Sequence, residues 1–300
     1  MTETMAFVVD MLLHATPLVI TGLAVALAFR AGVWNIGADG QFIAGATAAA
    51  WVGVSVPAGI GWLALIIALI AGVIAGAIWA AIAAWLRSRF GVLEVISTIM
   101  LNFIATYGAS FLVRGPLQEP THVYPQTSGI VSGAHIPILL GGTRLHWGFV
   151  IAVALAVAAW WVMKYSATGF RVRASGVNPF AARSAGLIDV SRVTAFAFVT
   201  SGAIAGMAGA IEVSGVTFAL YENISPGYGY TAIAVALLAG LNPLGVIGTG
   251  ILFGALETAA GAMQRNIGIP STTASVIEAI VILAVIAIAQ LRTNRVTTSA

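Results

Sequence analysis

Residues 164–192 read KYSATGFRVRASGVNPFAARSAGLIDVSR, and they interrupt a chain that is otherwise close to continuous apolar helix. The stretch carries five of the 13 basic residues: Lys164, Arg171, Arg173, Arg183 and Arg192. Within it, Asn178 suits a helix N-cap and Pro179 the first helical position. Ala181, Ala182 and Ala185 favour helix, and Gly186 is suited to close it in the left-handed conformation. The spacing predicts a helix of about two turns at a polar surface, with Arg183 free to meet a partner. A helix lying flat on a membrane would need more bulky apolar side chains on one face than Phe180 and Leu187 supply.

The flanks of this stretch set the fold class. The chain has 300 residues, 60% apolar and 8% charged, with a mean hydropathy of +1.01. Soluble domains carry roughly 25% charged residues. Several uncharged runs reach about 20 residues, the length that crosses a bilayer as helix. The expected fold is therefore an all-α polytopic membrane protein, with one transmembrane domain over residues 1–300. A β-barrel would instead alternate in segments of about ten residues. About nine membrane segments are predicted, near residues 5–29, 41–56, 60–86, 92–113, 147–163, 193–215, 228–241, 245–264 and 276–291. The first basic residue is Arg30, so the positive region of a secretory signal is missing and the first apolar segment is expected to stay in the mature protein.

Lys and Arg orient the chain, because they concentrate in cytoplasmic loops. Placing residues 164–192 inside puts Arg30, Arg87, Arg89, Lys164, Arg171, Arg173, Arg183, Arg192, Arg292 and Arg295 on that side. The other side receives Arg114, Arg144 and Arg265. The N-terminus is then outside and the C-terminus cytoplasmic. The net charge of +3 follows from these loops and does not point to nucleic acid.

Two segments, 41–56 and 228–241, fall short of a full span. Each is second in its half when the chain is split around the fifth segment. Short or discontinuous helices at matching places in an inverted repeat point to a transport pathway. Two complete helices with differently placed ends is the other reading. Gly72-x-x-x-Gly76, Gly202-x-x-x-Gly206 and Gly250-x-x-x-Gly254 suit close helix packing in lipid. The outer loop, 114–146, contains Pro116, Pro120, Pro125 and Pro137 and reads as an irregular cap or docking surface. His122, His135 and His146 in or beside it match no ligand spacing and are expected to be ordinary surface histidines.

Missing motifs exclude several activities. A P-loop needs Gly-Lys followed by Ser or Thr, whereas the only lysine, Lys164, is followed by Tyr165. ATP-driven work would need a separate polypeptide. There is no cysteine, which removes disulfides, thiol catalysis and cysteine-ligated metals. No HExxH or GxSxG is present, so a hydrolase would lack its metal or nucleophile.

Polar residues inside apolar segments are the candidate functional groups. Asn35 and Gln41 lie in a glycine-rich turn, 30–41, whose irregular backbone could line a cavity or form a plain cytoplasmic turn. On the fourth segment Glu94, Thr98, Asn102 and Thr106 recur every four residues and share one face, a candidate wall of the path. Glu94 sits near the inner end and could equally pair with Arg87 or Arg89. Glu212, Glu257 and Glu278 lie toward the outer side, where they could meet a polar substrate or line a vestibule.

Four blocks carry a resemblance. Arg30-Ala-Gly-Val-Trp-Asn-Ile-Gly-Ala-Asp-Gly-Gln41 is similar to the FRAG-x-x-NIGAEGQ signature of permease subunits in bacterial ABC importers of the ribose, nucleoside and branched-chain amino acid type. Glu94-Val-Ile-Ser-Thr-Ile-Met-Leu-Asn102 resembles NEVISTxMLN of the nucleoside and simple-sugar branch, with Leu93 in place of the first Asn. Gly176-Val-Asn-Pro-Phe-Ala-Ala-Arg-Ser-Ala-Gly186 resembles its coupling segment, and Gly227-Tyr-Gly-Tyr-Thr-Ala-Ile-Ala-Val-Ala-Leu-Leu238 its GxGxxxIAVALL. Asp39 stands where Glu is commoner.

The resemblance implies a transmembrane permease for nucleosides in the bacterial inner membrane, without cofactors of its own. ATP and Mg would be bound by partner ATPase subunits. A second permease, identical or paralogous, and an extracytoplasmic substrate-binding protein would complete the assembly. Asn178, Pro179, Phe180, Arg183 and Gly186 would dock on the ATPase; Asn35, Gln41, Glu94, Thr98 and Asn102 would belong to the path. The alternatives are a permease for monosaccharides or branched-chain amino acids, and a secondary transporter or channel that works alone.

Overall fold

A computed structural model of the chain describes residues 3–184 and 188–267 and positions 276, 279 and 280. Gly186, Glu278 and most of the ninth expected segment lie outside the described residues. The described elements are helical: α1 (Glu3–Arg30), α2 (Ala38–Ser55), α3 (Leu63–Phe90), α4 (Glu94–Arg114), α5 (Gly148–Tyr165), α6 (Ala167–Val177), α7 (Pro179–Ser184), α8 (Val190–Glu212), α9 (Tyr228–Leu238) and α10 (Pro243–Ile267). A π turn, Val213–Thr217, extends α8. Six of these helices are long and apolar enough to cross a membrane: α1, α3, α4, α5, α8 with its extension, and α10. The two short segments are α2, of 18 residues, and α9, of 11 residues.

The packing follows the split into halves. α8 lies against α2 and α3, and α1 lies against α9 and α10. The first helix of each half therefore packs on the second and third of the other, as expected for an inverted repeat whose leading helices are exchanged. Both long interfaces run antiparallel. Gly202, Gly206 and Ala210 of α8 meet Ala80, Gly76 and Gly72 of α3 in reverse order. Met11, Ala15, Val19 and Gly22 of α1 meet Gly254, Gly250 and Val246 of α10 in the same reversed sense.

All three glycine pairs seen in the sequence thus sit at these two interfaces. Burial from water gives helices no reason to associate in lipid, so close backbone contact takes its place. A side-chain carbon on Gly76 would overlap the Gly202 carbonyl, and one on Gly206 would overlap the Gly72 carbonyl. Any larger residue in that quartet would push α3 and α8 apart.

Among the described residues, Arg87 pairs with Glu94 at 2.9 Å and Gly176 lies on Arg30 and Gly32 at the end assigned to the inner side. The opposite end collects the pairs Arg144–Asp10 at 2.9 Å and Arg114–Glu222 at 2.6 Å.

One helix goes beyond the sequence-based expectation. Residues 167–177 form α6, started by Ser166, whose Oγ accepts the Gly169 N–H at 3.0 Å. It is rooted in the bundle by Val172, buried with Ala31, Met163 and Ala197. The basic stretch is therefore a two-helix elbow, α6 then α7. As expected, Asn178 Oδ1 accepts the Ala181 N–H at 3.0 Å and so caps α7.

Candidate functional site at the junction of two interrupted helices

The chain leaves α1 at Arg30, turns at Gly32 (φ +77°) and runs without regular structure to α2. A left-handed φ of this kind is open to glycine at no steric cost. An unwound segment exposes backbone N–H and C=O groups that lipid cannot satisfy, so the residues around it must supply partners.

Asn35 supplies one of them and is itself fixed by Gln41. The two side-chain amides bind each other reciprocally: Asn35 Nδ2 donates to Gln41 Oε1 at 2.9 Å, and Gln41 Nε2 donates to Asn35 Oδ1 at 3.1 Å. Asn35 Nδ2 also donates to Ser201 Oγ at 2.8 Å, and Asn35 Oδ1 accepts the Gly37 N–H at 3.0 Å. Ser201, in the middle of α8, passes its own proton to the Ala24 carbonyl of α1 at 2.6 Å. Asn35 is 0% exposed and Gln41 1%. Their hydrogen-bonding capacity is spent inside the chain, which makes the pair a bracket that holds the break in shape.

Asn102 closes the other side. Its Oδ1 accepts the Gly40 N–H at 2.8 Å, one of the first-turn donors of α2 that has no partner within the helix. Its Nδ2 donates to the Ile36 carbonyl at 2.9 Å and to the Tyr230 hydroxyl at 3.1 Å. Thr98, one turn earlier, packs its Cβ against Gly37 and donates to the Glu94 carbonyl at 2.7 Å. The polar stripe of α4 therefore faces the broken segment. The opposite face, with Ile96, Met100, Phe103, Ile104, Tyr107 and Phe111, is exposed and apolar. Glu94 takes the ion pair with Arg87 foreseen as its simpler role.

α9 starts where α2 starts. Asp39, in the first turn of α2, accepts the Gly229 N–H at 3.0 Å and the Ser225 hydroxyl at 2.7 Å. Ser225 Oγ in turn accepts the N–H groups of Gly227 at 3.2 Å and Tyr228 at 3.1 Å. Two helix N-termini, one from each half, thus converge on one carboxylate, which suits the positive end of both dipoles. The level is close to the middle of the bilayer, because Asn102 lies about 12 Å along α4 at about 1.5 Å per residue. Sequence reasoning passed over Ser201, Ser225 and Tyr230; only the Gly227-Tyr-Gly-Tyr block hinted at the close approach.

Two cavities flank the junction. The inner one, of about 450 Å³, includes Gly32 and Val33 of the unwound segment, Arg87, Glu94, Pro179 and Arg183. The outer one, of about 360 Å³, reaches Tyr228 from beneath the outer loop and includes His14, Arg144, Glu212 and Phe218.

The elbow touches the same break from the inner side. A side-chain carbon on Gly176 would overlap the Arg30 carbonyl. Beyond it, Phe180 and Arg183 of α7 are exposed.

The histidines correct one expectation. His122 is exposed, but His146 is buried, its Nδ1 accepting the Gly148 N–H at 3.0 Å. Burial pushes its imidazole down to about 4, because the glycines Gly148 and Gly215 let the ring pack closely. His135 stacks on Phe218 at 4.2 Å between ring centres. Glu257 binds His14 Nδ1 at 3.3 Å. Among the described residues no three His, Cys, Asp or Glu side chains come together as a metal site.

Residues 7–286 match the family model described as branched-chain amino acid transport system / permease component. A glucose ABC transporter permease of Haloferax volcanii is 36% identical over 91% of this chain and 74% of its own length. A guanosine ABC transporter permease of Bacillus subtilis is 36% identical, covering 92% of this chain and 80% of the relative. A nucleoside ABC transporter permease of Lactococcus lactis is 32% identical over 89% and 75% respectively. A solved metal-chelate type ABC transporter in an inward-facing conformation shares the fold at a TM-score of 0.51 and 15% identity, over 95% of this chain and 85% of that one.

Proposed function

We propose how this chain, which belongs to the branched-chain amino acid transport system / permease component family, carries out its part of import. It is the membrane-spanning subunit of an ABC transporter, and its cargo is a nucleoside. Partner ATPase subunits bind ATP and Mg and dock on α7. A second permease completes the path, and an extracytoplasmic binding protein delivers cargo to the face that carries the outer loop. The N-terminus lies on that outer side and the C-terminus in the cytoplasm.

The observation that carries this function is the mechanical line from elbow to junction. α7 leads through α6 to Gly176, which sits on Arg30 and Gly32, where the chain unwinds toward the Asn35–Gln41 bracket. Moving the elbow moves the start of α2, and through Asp39 the start of α9. Asn35, Gln41 and Thr98 keep the break in register. Asn102 passes the displacement to Tyr230, which is 44% exposed and stands where it can meet cargo or the second permease. ATP-driven closure of the ATPases thus reaches the middle of the membrane without any chemistry in this chain.

Two measurements test the assignment. Replacing residues 178–184 with a flexible Gly/Ser linker should abolish co-purification of the ATPase while the permease still reaches the membrane; retained co-purification would rule out docking through α7. Proteoliposomes holding the complete transporter should take up tritiated nucleosides only with ATP and binding protein. Glucose is the second candidate, favoured by the Haloferax relative; competition by glucose and not by nucleosides would decide for it.

A further inference from the structure

The outer cavity contains two polar groups that the protein leaves without partners. Glu212 is 6% exposed and Tyr228 5%, and both line the same space of about 360 Å³. Among the described residues nothing hydrogen-bonds to the Glu212 carboxylate or the Tyr228 hydroxyl, whereas every other charged group lining this cavity is occupied. Arg144 and Asp10 bind each other at 2.9 Å, and His14 holds Glu257 at 3.3 Å. A buried carboxylate without donors is costly enough that native structures rarely retain one without a use.

Most of the remaining wall is apolar and partly aromatic, with Leu13, Ile136, Ile138, Val216 and Phe218 beside Thr143 and Gly215. The volume falls in the range of small-molecule sites, about 300–1,000 Å³. Tyr228 is also the first residue of α9, so whatever binds here touches the junction directly.

We propose that this cavity is a cargo-binding site for a neutral solute with vicinal hydroxyls and a flat ring, a ribonucleoside, whose 2′- and 3′-hydroxyls donate to the Glu212 carboxylate. A carboxyl group presents two oxygens on one side, and a cis-diol offers two hydroxyls at matching spacing. The Tyr228 hydroxyl supplies a further polar contact and Phe218 an aromatic face for the base. This assignment rests on nucleoside import being the function proposed above and adds where the nucleoside binds.

The test is direct binding to the complete transporter in nanodiscs, without its binding protein. Probes are tritiated guanosine and uridine and their 2′,3′-dideoxy analogues. Wild type should bind the ribonucleosides at least tenfold tighter than the dideoxy forms, and Glu212→Gln should largely erase that difference. Tyr228→Phe, which keeps the ring, should weaken ribonucleosides several-fold. An undiminished preference for the diol in Glu212→Gln would overturn the site. So would sodium or methylammonium binding that depends on Glu212 while nucleosides ignore it, since that outcome marks a cation site. Normal nucleoside uptake by both variants would overturn this site and leave the import function standing. No nucleoside uptake by wild type would remove both.

Discussion

The junction and the outer cavity are both polar regions buried in an apolar bundle, yet they treat their polar atoms in opposite ways. At the junction every amide of Asn35, Gln41 and Asn102 finds a partner, and the Asp39 carboxylate accepts two donors. In the outer cavity Glu212 and Tyr228 face one another's space with no protein partner among the described residues. A fully satisfied polar cluster fixes one arrangement of the chain, while an unsatisfied one stores binding capacity. The first kind belongs to architecture and the second to recognition.

Substitution should therefore act with opposite sign at the two places. Asn35→Leu leaves the Gln41 amide and the Gly37 N–H without their partner, at about 1–3 kcal/mol for each buried group so stranded. That sum is a large share of a typical stability of about 5–15 kcal/mol. The expected result is little or no monodisperse protein by fluorescence-detected size exclusion. A well-behaved Asn35→Leu variant would mean that the break in the helix does not depend on its bracket.

Glu212→Leu should do the reverse. It removes a buried carboxylate that has no donor and fills the site with apolar atoms, so stability should hold or rise by about 1–3 kcal/mol. Uptake should fall at the same time. A thermal melt in detergent reads the first effect and radiolabelled uptake the second. If Glu212→Leu unfolds as readily as Asn35→Leu, the cavity is a piece of architecture and the distinction between the two regions disappears.

Much of the architecture was legible in the sequence. The two short segments, the glycine pairs and the four-residue polar stripe on α4 all follow from local periodicity, and the structure contains each of them. What periodicity cannot supply is the partner. Asn35 meets Ser201 across 166 residues, and Asp39 meets Gly229 across 190. Glu212 and Glu257 look alike as single carboxylates in apolar helices, and only the fold gives one of them His14 and leaves the other open. The stripe of α4 grouped residues that the structure brings to the broken segment, but did not give the direction they face, because an apolar outer face is as natural in lipid as an apolar inner one. α6 was overlooked because Val172 is the only bulky apolar side chain on its buried face, beside Gly169 and Ser175, too little to show a helical period.

A third region, under the outer loop, separates burial from satisfaction within one side chain. His146 gives Nδ1 to the Gly148 N–H, while its Nε2 has no partner. Its imidazole is held down at about 4, against about 6.5 in an unfolded chain. Between those values the unfolded state binds the extra proton, so stability falls as pH drops below about 6.5 and levels off only below about 4. From about pH 7 to pH 5 the His146 contribution should fall by about 2 kcal/mol. His146→Asn keeps a hydrogen-bond acceptor near Gly148 and does not titrate, so its melting temperature should lack this component. Parallel pH curves for the two proteins would show that the ring is wetter than its packing implies.

The smallest effect is expected where polar partners are satisfied but stand in water. Glu222 accepts from Arg114 Nε at 3.0 Å and also from the Ser110 hydroxyl, and tethers the outer end of α4 to the segment before α9. The Arg114 guanidinium first, and the Ser110 hydroxyl second, hold the Glu222 carboxyl below its usual range. A lowered value means that the pair is intact at neutral pH and gives way only as pH falls through that lowered value. Solvent screens such a contact, so exposed ion pairs contribute little. Glu222→Gln should leave the melting temperature within experimental scatter at physiological salt, and should leave the His146 contribution between about pH 7 and pH 5 unchanged. A pH response that shrinks in Glu222→Gln would place the titration in the Arg114–Glu222 pair and take it away from the buried ring.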